Sequence, residues 1–348
     1  MPETIAQPRH APSRTSMTDL LALLKRPGLK LITGHVRPDG DALGASLALG
    51  RCLRQAGHDA IVVAEPSEFG SPGFLEGCKD VMRPSVAAKK KNISLIVSLD
   101  CGTVQRLPEP LQPLVARLPV INIDHHRTNT RFGQINWIDA TAGSTSEMVW
   151  RVIRRAGWKL DHASAEALWV GVVTDTGRFA YDQTSPRTMR CGADLLRHGV
   201  RTAWINDLLF GTFNHNVLEL KRRAFHSLEV SQDGRVATVT LTHEDFDATH
   251  CQKSDAEDII EIARSLRGSY IALFFYEAGE KNLTRLSIRT REPLDATHLA
   301  LQYNGGGHAR AAGCTIPAAM PAAKRLINKF VTQWLAETSF AKPAKAVS

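Results

Sequence analysis

The 348-residue sequence contains no run of 18 or more apolar residues, so no transmembrane helix of ordinary length is expected. Its six cysteines are scattered, without a Cys-x-x-Cys pair and without the spacing of a structural metal site. This pattern favours free thiols in a reducing compartment, and we therefore expect a cytoplasmic protein. The sequence also lacks internal repeats and low-complexity segments, and its first 17 residues lack the apolar core of a signal peptide.

Apolar residues make up 43% of the chain and charged residues 22%, a composition typical of an ordinary globular protein with material for two cores. The predicted organisation is a disordered tail over residues 1–17, a first domain over 18–205, a connector over 206–225, a second domain over 226–338 and a flexible tail over 339–348. The net charge of +8 favours anionic partners, although the basic clusters at 89–91 and 221–223 are each more often solvated surface.

Apolar runs typical of buried strands alternate with amphipathic helical segments in the first half of the chain. The predicted strands cover residues 29–34, 60–64, 94–99 and 120–123. Helices are predicted over 42–56, ending at Gly57, and over 144–156, opened by a capping box. Alternating strands and helices predict an α/β fold, with a mostly parallel sheet that is covered by helices on both faces.

The second half predicts a smaller α/β domain. Strand patterns cover residues 236–241, 270–276 and 283–291. A helix is predicted to open at residues 254–257 and to continue through Leu266, and a last amphipathic helix covers 320–337.

Acidic residues and histidines follow three of the predicted strands. His35, Asp39 and Asp41 come after the first strand, Asp100 after the third, and the segment from Asp124 to His126 after the fourth. The carboxyl ends of parallel strands share one edge of the sheet, where ligands bind. Asp175 ends an apolar helix face, so its carboxylate needs a partner.

Each of these residues also has an ordinary structural interpretation. Asp39 with Gly40 can form a turn, Asp100 or Asp124 can cap a helix, and Asp175 can be a solvated helix end. The pair His125 and His126 can arise by chance. For any one residue alone the structural interpretation is favoured, but their joint occurrence after consecutive elements favours a site.

Four crowded aspartates repel one another unless cations neutralise them. Two divalent ions balance the charges of Asp39, Asp41, Asp100 and Asp175, and carboxylates with a few imidazoles suit Mn²⁺ or Mg²⁺. Two such ions about 3.5–4 Å apart can activate water and stabilise the leaving oxygen in phosphoryl transfer. We therefore predict two divalent cations as cofactors, with Mn²⁺ favoured and Mg²⁺ as the alternative.

The sequence resembles the DHH phosphoesterase family, which includes RecJ-type exonucleases, family II pyrophosphatases and NrnA-type oligoribonuclease/pAp phosphatases. Four motifs carry the resemblance, in the family's order: His35 with Pro38-Asp39-Gly40-Asp41-Ala42-Leu43-Gly44, Asp100-Cys101-Gly102-Thr103, Asp124-His125-His126 and Thr174-Asp175-Thr176-Gly177. The match covers nearly all of the chain after the first 17 residues. It implies that 18–205 is the catalytic domain and 226–338 the DHH-associated substrate-binding domain, with the active site in the cleft between them.

The resemblance also implies a role for each site residue. One metal ion would be held by His35, Asp39 and Asp100, and the second by Asp41, Asp100, His125 and Asp175, so that Asp100 bridges the two. His126 matches the residue that contacts the scissile phosphate or acts as general acid. Asp124 is expected to orient the two histidines.

A glycine-rich segment in the second domain matches the family's substrate loop. The implied substrate-binding residues are Arg289, Gly305, Gly306, Gly307 and His308. Glycines let backbone N–H groups approach a phosphate. The family usually has a further glycine where this chain has Asn304. For Arg291 an exposed strand arginine remains the alternative.

Size and layout are most similar to the NrnA-type enzymes. This resemblance implies hydrolysis of short RNA, pApA-like dinucleotides or 3′-phosphoadenosine 5′-phosphate. The alternatives are a RecJ-like single-stranded DNA exonuclease and, in a different class, a nucleotide-binding regulatory protein without catalysis. The sequence does not rank these substrates. It also leaves the oligomeric state open, and a homodimer is one of the alternatives.

Overall fold

The computed structural model describes residues 16–211, 213–256, 258–277 and 282–339. The chain forms two compact units, Met1–Thr212 and Phe213–Ser348. The predicted tails lie outside the described residues except at their inner ends, where Ser16 already caps the first helix by accepting a hydrogen bond from the Asp19 N–H.

The first unit contains a five-stranded sheet in which every neighbouring pair is parallel, in the order β2-β1-β3-β4-β5. Its strands are β1 Leu29–Thr33, β2 Ala60–Val63, β3 Ile93–Leu99, β4 Val120–Asp124 and β5 Ile135–Ile138. The four predicted strands are confirmed. The edge strand β5 was not predicted, because its residues are all half-buried and show no apolar alternation.

Helices cover both faces of this sheet, as predicted. They are α1 Met17–Leu24, α2 Gly40–Gln55, α3 Pro84–Ala87, α4 Gln112–Val115, α5 Thr145–Ala156, α6 His162–Asp175, α7 Pro186–Arg197 and α8 Thr202–Asn206. Two neighbouring residues of β1 pack on opposite faces of the sheet. Ile32 belongs to the large core under α2, α5 and α6, and Leu31 packs with Ala87 and Leu111 on the other face.

Helices α2 and α6 pack closely because α2 has a glycine at their crossing. A Cβ added to Gly44 would lie 2.2 Å from the backbone oxygen of Ala167 on α6. The Ala167 backbone cannot move aside as a flexible side chain can, so a residue with a Cβ does not fit at position 44. Since α2 begins and α6 ends at predicted site residues, this close approach also sets the distance between Asp41 and Asp175.

Gly44→Ala is expected to destabilise the first unit by about 1–3 kcal/mol, the usual effect of overpacking, even though alanine favours a helix. Gly192→Ala is the matched control, because the nearest atoms to its Cβ would belong to the rings of Phe179, at 3.2 Å, and Trp169, at 3.6 Å, and not to a backbone. Urea unfolding followed by tryptophan fluorescence compares the two variants. Equal transition midpoints would show that the helix contact is not what requires Gly44.

The second unit is built on a six-stranded mixed sheet in the order β10-β11-β9-β8-β7-β6, in which only β7 and β8 are parallel. Its strands are β6 Glu229–Val230, β7 Val236–Leu241, β8 Ile271–Glu277, β9 Thr284–Thr290, β10 Gly306–His308 and β11 Ala311–Ile316. Its helices are α9 His215–His226, α10 His243–Thr249, α11 Ile260–Arg264, α12 Ala296–Ala300 and α13 Met320–Glu337.

Three predictions for this unit need correction. The helix expected from residue 254 is a 3₁₀ turn, Lys253–Ala256, followed by the short α11, and Glu257 lies outside the described residues. The glycine segment expected as a loop forms strand β10, because pairing with β11 satisfies its backbone. Residues 206–225, predicted as a connector, include most of helix α9. No helix in the described part of the chain is long and apolar enough to cross a membrane.

Candidate metal centre

Strand order brings the predicted residues to one crevice. Strands β1 and β3 are neighbours, yet β1 leads on to β2 on one side and β3 leads on to β4 on the other. Such a switch point opens a crevice at the carboxyl ends of the strands, where α/β proteins bind ligands. His35 follows β1 and Asp100 follows β3, so both lie at this point.

His35, Asp39 and Asp100 form a first group of candidate metal ligands. The Nε2 atom of His35 lies 3.7 Å from Oδ2 of Asp39 and 3.7 Å from Oδ2 of Asp100. The Nδ1 atom of His35 is 2.8 Å from the Val36 carbonyl oxygen, to which it donates. Because a carbonyl oxygen only accepts, Nδ1 carries a proton, and Nε2 is the ring nitrogen that faces the carboxylates.

Asp39 caps a helix, whereas the structural alternative expected from the sequence was a turn with Gly40. Its Oδ1 atom caps α2 by accepting hydrogen bonds from the backbone N–H groups of Asp41 and Ala42, each at 3.0 Å. Its Oδ2 atom faces His35. Helix capping therefore occupies one oxygen and leaves the other for a cation.

Asp41, His125 and Asp175 form a second group. The Nε2 atom of His125 lies 2.9 Å from Oδ2 of Asp175 and 4.0 Å from Oδ2 of Asp41. The Nδ1 atom of His125 lies 3.3 Å from the Ala142 carbonyl oxygen, the same backbone arrangement that orients His35. Asp175 is the last residue of α6. Because its carboxylate faces His125, it is not the solvated helix end that the sequence left as an alternative.

Asp100 lies between the two groups. Its Oδ2 atom is 3.7 Å from the His35 imidazole, and its Oδ1 atom is 3.5 Å from Nε2 of His125. Asp100 is 1% exposed and has a φ of +53°, a left-handed conformation that aspartate adopts more readily than most residues. It caps no helix, and this conformation directs one oxygen toward each group.

Asp124 orients the histidine pair. Its Oδ1 atom accepts hydrogen bonds from the backbone N–H groups of His125, at 2.8 Å, and His126, at 3.2 Å. The same oxygen lies 2.7 Å from Nδ1 of His126, and Asn129 donates to the other oxygen. Asp124 is the last residue of β4 and caps no helix. Nδ1 of His126 is thus engaged with Asp124, and Nε2 is the nitrogen on the opposite side of the ring.

The pKa shifts reflect crowded negative charge. Burial, followed by the charge of Asp100, raises the pKa of Asp41, and burial likewise raises that of Asp175. Burial alone would lower the pKa of His125, but the charges of Asp175 and Asp100 raise it well above its ordinary value. Burial alone would also lower the pKa of His35, but its contacts with Asp39 and the charge of Asp100 together raise it. Raised pKa values at two carboxyls and two imidazoles mark a site that favours added positive charge.

The donor set fits divalent cations. The position beside His125 is surrounded by three carboxylates and an imidazole, and the position beside His35 by two carboxylates and an imidazole. Both imidazoles are oriented through backbone carbonyls, as metal-binding histidines usually are. No thiolate takes part, because Cys101, next to Asp100, is buried and bonds to the Thr103 carbonyl oxygen. Oxygen-rich donors of this kind suit Mn²⁺ or Mg²⁺ better than structural zinc.

Sequence reasoning missed the contribution of the first turn of α5. The Asp41 carboxylate accepts hydrogen bonds from the backbone N–H groups of Thr145, at 2.6 Å, and Ser146, at 2.7 Å. The predicted capping box is only half formed, since the Ser144 hydroxyl accepts from the Glu147 N–H while the Glu147 carboxylate turns to the Gly143 N–H. The run of small polar residues before an apolar helix was the available signal.

The predicted substrate residues of the second unit lie at one end of its sheet. His308 on β10 pairs with Ala311 on β11, which pairs with Arg289 on β9, so all three side chains share one face. Nε of Arg289 lies 3.6 Å from a carboxylate oxygen of Glu261. A Cβ on Gly305 would lie 2.2 Å from a backbone oxygen of β11, which explains the glycine there.

Arg291 is exposed, as in the alternative expected for it, but it lies just after β9 and its guanidinium has a structural role. Its guanidinium donates to the backbone oxygens of Arg264, at 2.8 Å, and Ser269, at 3.0 Å. These contacts stabilise the end of α11 and the turn after it.

A parallel sheet with two carboxylate and imidazole groups at its switch point, joined to a second α/β unit, defines a metal-dependent phosphoesterase. The chain belongs to the DHH family: residues 30–172 match the DHH family N-terminal domain, and residues 235–337 match the DHHA1 domain.

Relatives in this family are similar over most of their length. The chain is 32% identical to the bifunctional oligoribonuclease and PAP phosphatase NrnA of Thermus thermophilus, covering 89% of this chain and 90% of that one. It is 28% identical to the protein of the same description from Bacillus subtilis, covering 86% and 93%. An exopolyphosphatase-related protein from Bacteroides fragilis has a similar structure, with a TM-score of 0.83 at 26% identity, covering 91% of this chain and 96% of that one.

Proposed function

We propose that this protein hydrolyses phosphate esters of short oligoribonucleotides, pApA-like dinucleotides or 3′-phosphoadenosine 5′-phosphate with two divalent cations, Mn²⁺ in preference to Mg²⁺. The observation that carries the proposal is the position of Asp100, with one carboxylate oxygen toward each of two ligand groups. The names of the NrnA relatives, which align over nearly their whole length, support the substrate class. We assign the protein to the cytoplasm, since all six cysteines are free.

The site residues of the first unit have separate roles. His35, Asp39 and Asp100 hold one cation, and Asp41, Asp100, His125 and Asp175 hold the other. When bound, the ions supply an activated water and neutralise charge on the phosphate in the transition state. His126, held through Nδ1 by Asp124, presents Nε2 to the phosphate. Burial alone would lower the pKa of His126, but the hydrogen bond to Asp124 and the charge of Asp100 raise it above its ordinary value. In its protonated form the ring can donate a proton to the leaving oxygen.

The second unit supplies the residues that hold the rest of the nucleotide. Strand β10 is at the sheet edge, and its outer side pairs with no other strand of the described residues, which leaves backbone N–H groups for a phosphate. Arg289 shares the sheet face of His308, two strands away. Its Nε atom is buried and lies 3.6 Å from Glu261, too far for a hydrogen bond, so a phosphate can become its partner.

A hydrolysis panel tests the proposal. It contains 3′-phosphoadenosine 5′-phosphate, pApA, a five-nucleotide RNA, single-stranded DNA and pyrophosphate, each with Mn²⁺ and with a chelator. We expect turnover of the first three and loss of it with the chelator. Preference for single-stranded DNA would favour the RecJ-like alternative, and nucleotide binding without turnover would favour the regulatory one.

Arg289→Ala and His308→Ala are expected to lower kcat/KM for pApA by about 10–100-fold, equivalent to about 1.4–2.8 kcal/mol of lost transition-state binding, and to leave Mn²⁺ affinity unchanged. Pyrophosphate, if hydrolysed, should be affected less. Arg285→Ala is the control, because Arg285 lies on the same strand and face but four residues away. Equal losses on every substrate would contradict a role in holding the nucleotide.

A further inference from the structure

Thr145 contacts carboxylates of both candidate ligand groups. Its hydroxyl donates to Oδ1 of Asp100 at 3.1 Å, and its backbone N–H donates to Oδ2 of Asp41 at 2.6 Å. The residue is fully buried, as is the Asp41 carboxylate, and Asp100 is 1% exposed. Water therefore has little access to take over the hydroxyl's hydrogen bond.

The contact distinguishes the two oxygens of Asp100. Oδ1, which accepts from Thr145, is the oxygen 3.5 Å from Nε2 of His125, whereas Oδ2 faces His35. A carboxylate can rotate about its last bond, and a bridging one must hold both oxygens in fixed directions. A donor on Oδ1 fixes that rotation and leaves a second lone pair of the same oxygen for a cation.

The turn that carries Thr145 is itself held from outside the site. The Glu147 carboxylate is fully buried and accepts hydrogen bonds from the Gly143 N–H, at 3.0 Å, and the Thr188 hydroxyl, at 2.7 Å. Nε of Arg187 lies 3.4 Å from its other oxygen. These contacts with α7 make the first turn of α5 a rigid support instead of a mobile helix end.

We propose that Thr145 is a positioning residue that holds Asp100 in its bridging orientation and so controls binding of the second cation, the one at Asp41, His125 and Asp175. This rests on the proposed two-cation function. Removing the hydroxyl frees Oδ1 to turn away from the second position, while Oδ2, His35 and Asp39 still form the first.

Thr145→Val tests the proposal, because valine keeps the shape and the branched Cβ and removes only the donor. Thr145→Ser is the matched control, which keeps the hydroxyl and loses a methyl group. Calorimetric titration with Mn²⁺ should show two binding events in the unchanged protein and in Thr145→Ser. In Thr145→Val one of the two events should persist and the other should lose affinity by about 10–100-fold, the usual effect of losing a hydrogen bond to a metal ligand.

Electron paramagnetic resonance gives a second readout that does not depend on hydrolysis. With two equivalents of Mn²⁺, the unchanged protein and Thr145→Ser should give the spectrum of a coupled pair, and Thr145→Val the six-line spectrum of an isolated ion. Unaltered binding in Thr145→Val would overturn the proposal, as would equal weakening of both events or equal loss in Thr145→Ser. A single binding event in the unchanged protein would instead overturn the two-cation function itself.

Discussion

Asp100→Ala lowers kcat by about 10⁴-fold or more and is not rescued by added Mn²⁺, the expected result if one carboxylate serves both cations. The loss should be this large because Asp100 contributes an oxygen to each ligand group, so its removal disrupts both sites together. Hydrolysis of pApA measured across a Mn²⁺ titration checks the prediction.

Asp39→Asn is the matched control for Asp100→Ala. Asparagine keeps an oxygen that can cap α2, where Oδ1 of Asp39 accepts two backbone hydrogen bonds, and removes the charge at one cation only. Its activity should fall less and recover in part as Mn²⁺ rises. Full recovery of Asp100→Ala at high Mn²⁺, or a larger loss for Asp39→Asn, would show that Asp100 is not the bridge.

His126→Ala is expected to lower kcat by about 10²–10⁴-fold, the contribution typical of a positioned general acid, and to leave Mn²⁺ binding close to normal. The reason is that Asp124 holds Nδ1 of His126 at 2.7 Å and fixes the direction of Nε2. Rapid-mixing kinetics on pApA, together with Mn²⁺ calorimetry, separate chemistry from metal binding.

His162→Ala is a control for His126→Ala, since His162 is half exposed on α6 and pairs with Glu166 away from both ligand groups. It should leave kcat unchanged. If His126→Ala lost Mn²⁺ and activity together, His126 would be a metal ligand and not the group that faces the phosphate.

Much of the first unit could be predicted from sequence because its signals are local. Buried parallel strands are continuous apolar runs, and polar residues directly after them must lie at one sheet edge. Strand β5 is not a continuous apolar run, since Asn136 interrupts it, and its pairing depends on β4. The helix expected after residue 254 was predicted from its apolar spacing, but tertiary packing allows only the short α11.

The ligand groups could be predicted residue by residue, but their supports could not. Asp39, Asp100 and Asp175 can be picked out because each is an acidic residue that follows a predicted strand or ends an apolar helix face. The contacts of Thr145 with Asp41 and Asp100 instead join residues that are 104 and 45 positions apart in the sequence. No rule of sequence spacing predicts contacts between residues so far apart in the chain. In the second unit, pairing between β10 and β11 decides that a glycine run is a strand, and a glycine run alone predicts only a turn.

Anomalous diffraction at the manganese edge from Mn²⁺-loaded crystals tests the central claim most directly. The account predicts two peaks about 3.5–4 Å apart, one beside His35 and Asp39, the other beside Asp41, His125 and Asp175, with Asp100 ligating both. A single peak, or two peaks that do not share Asp100, would contradict it.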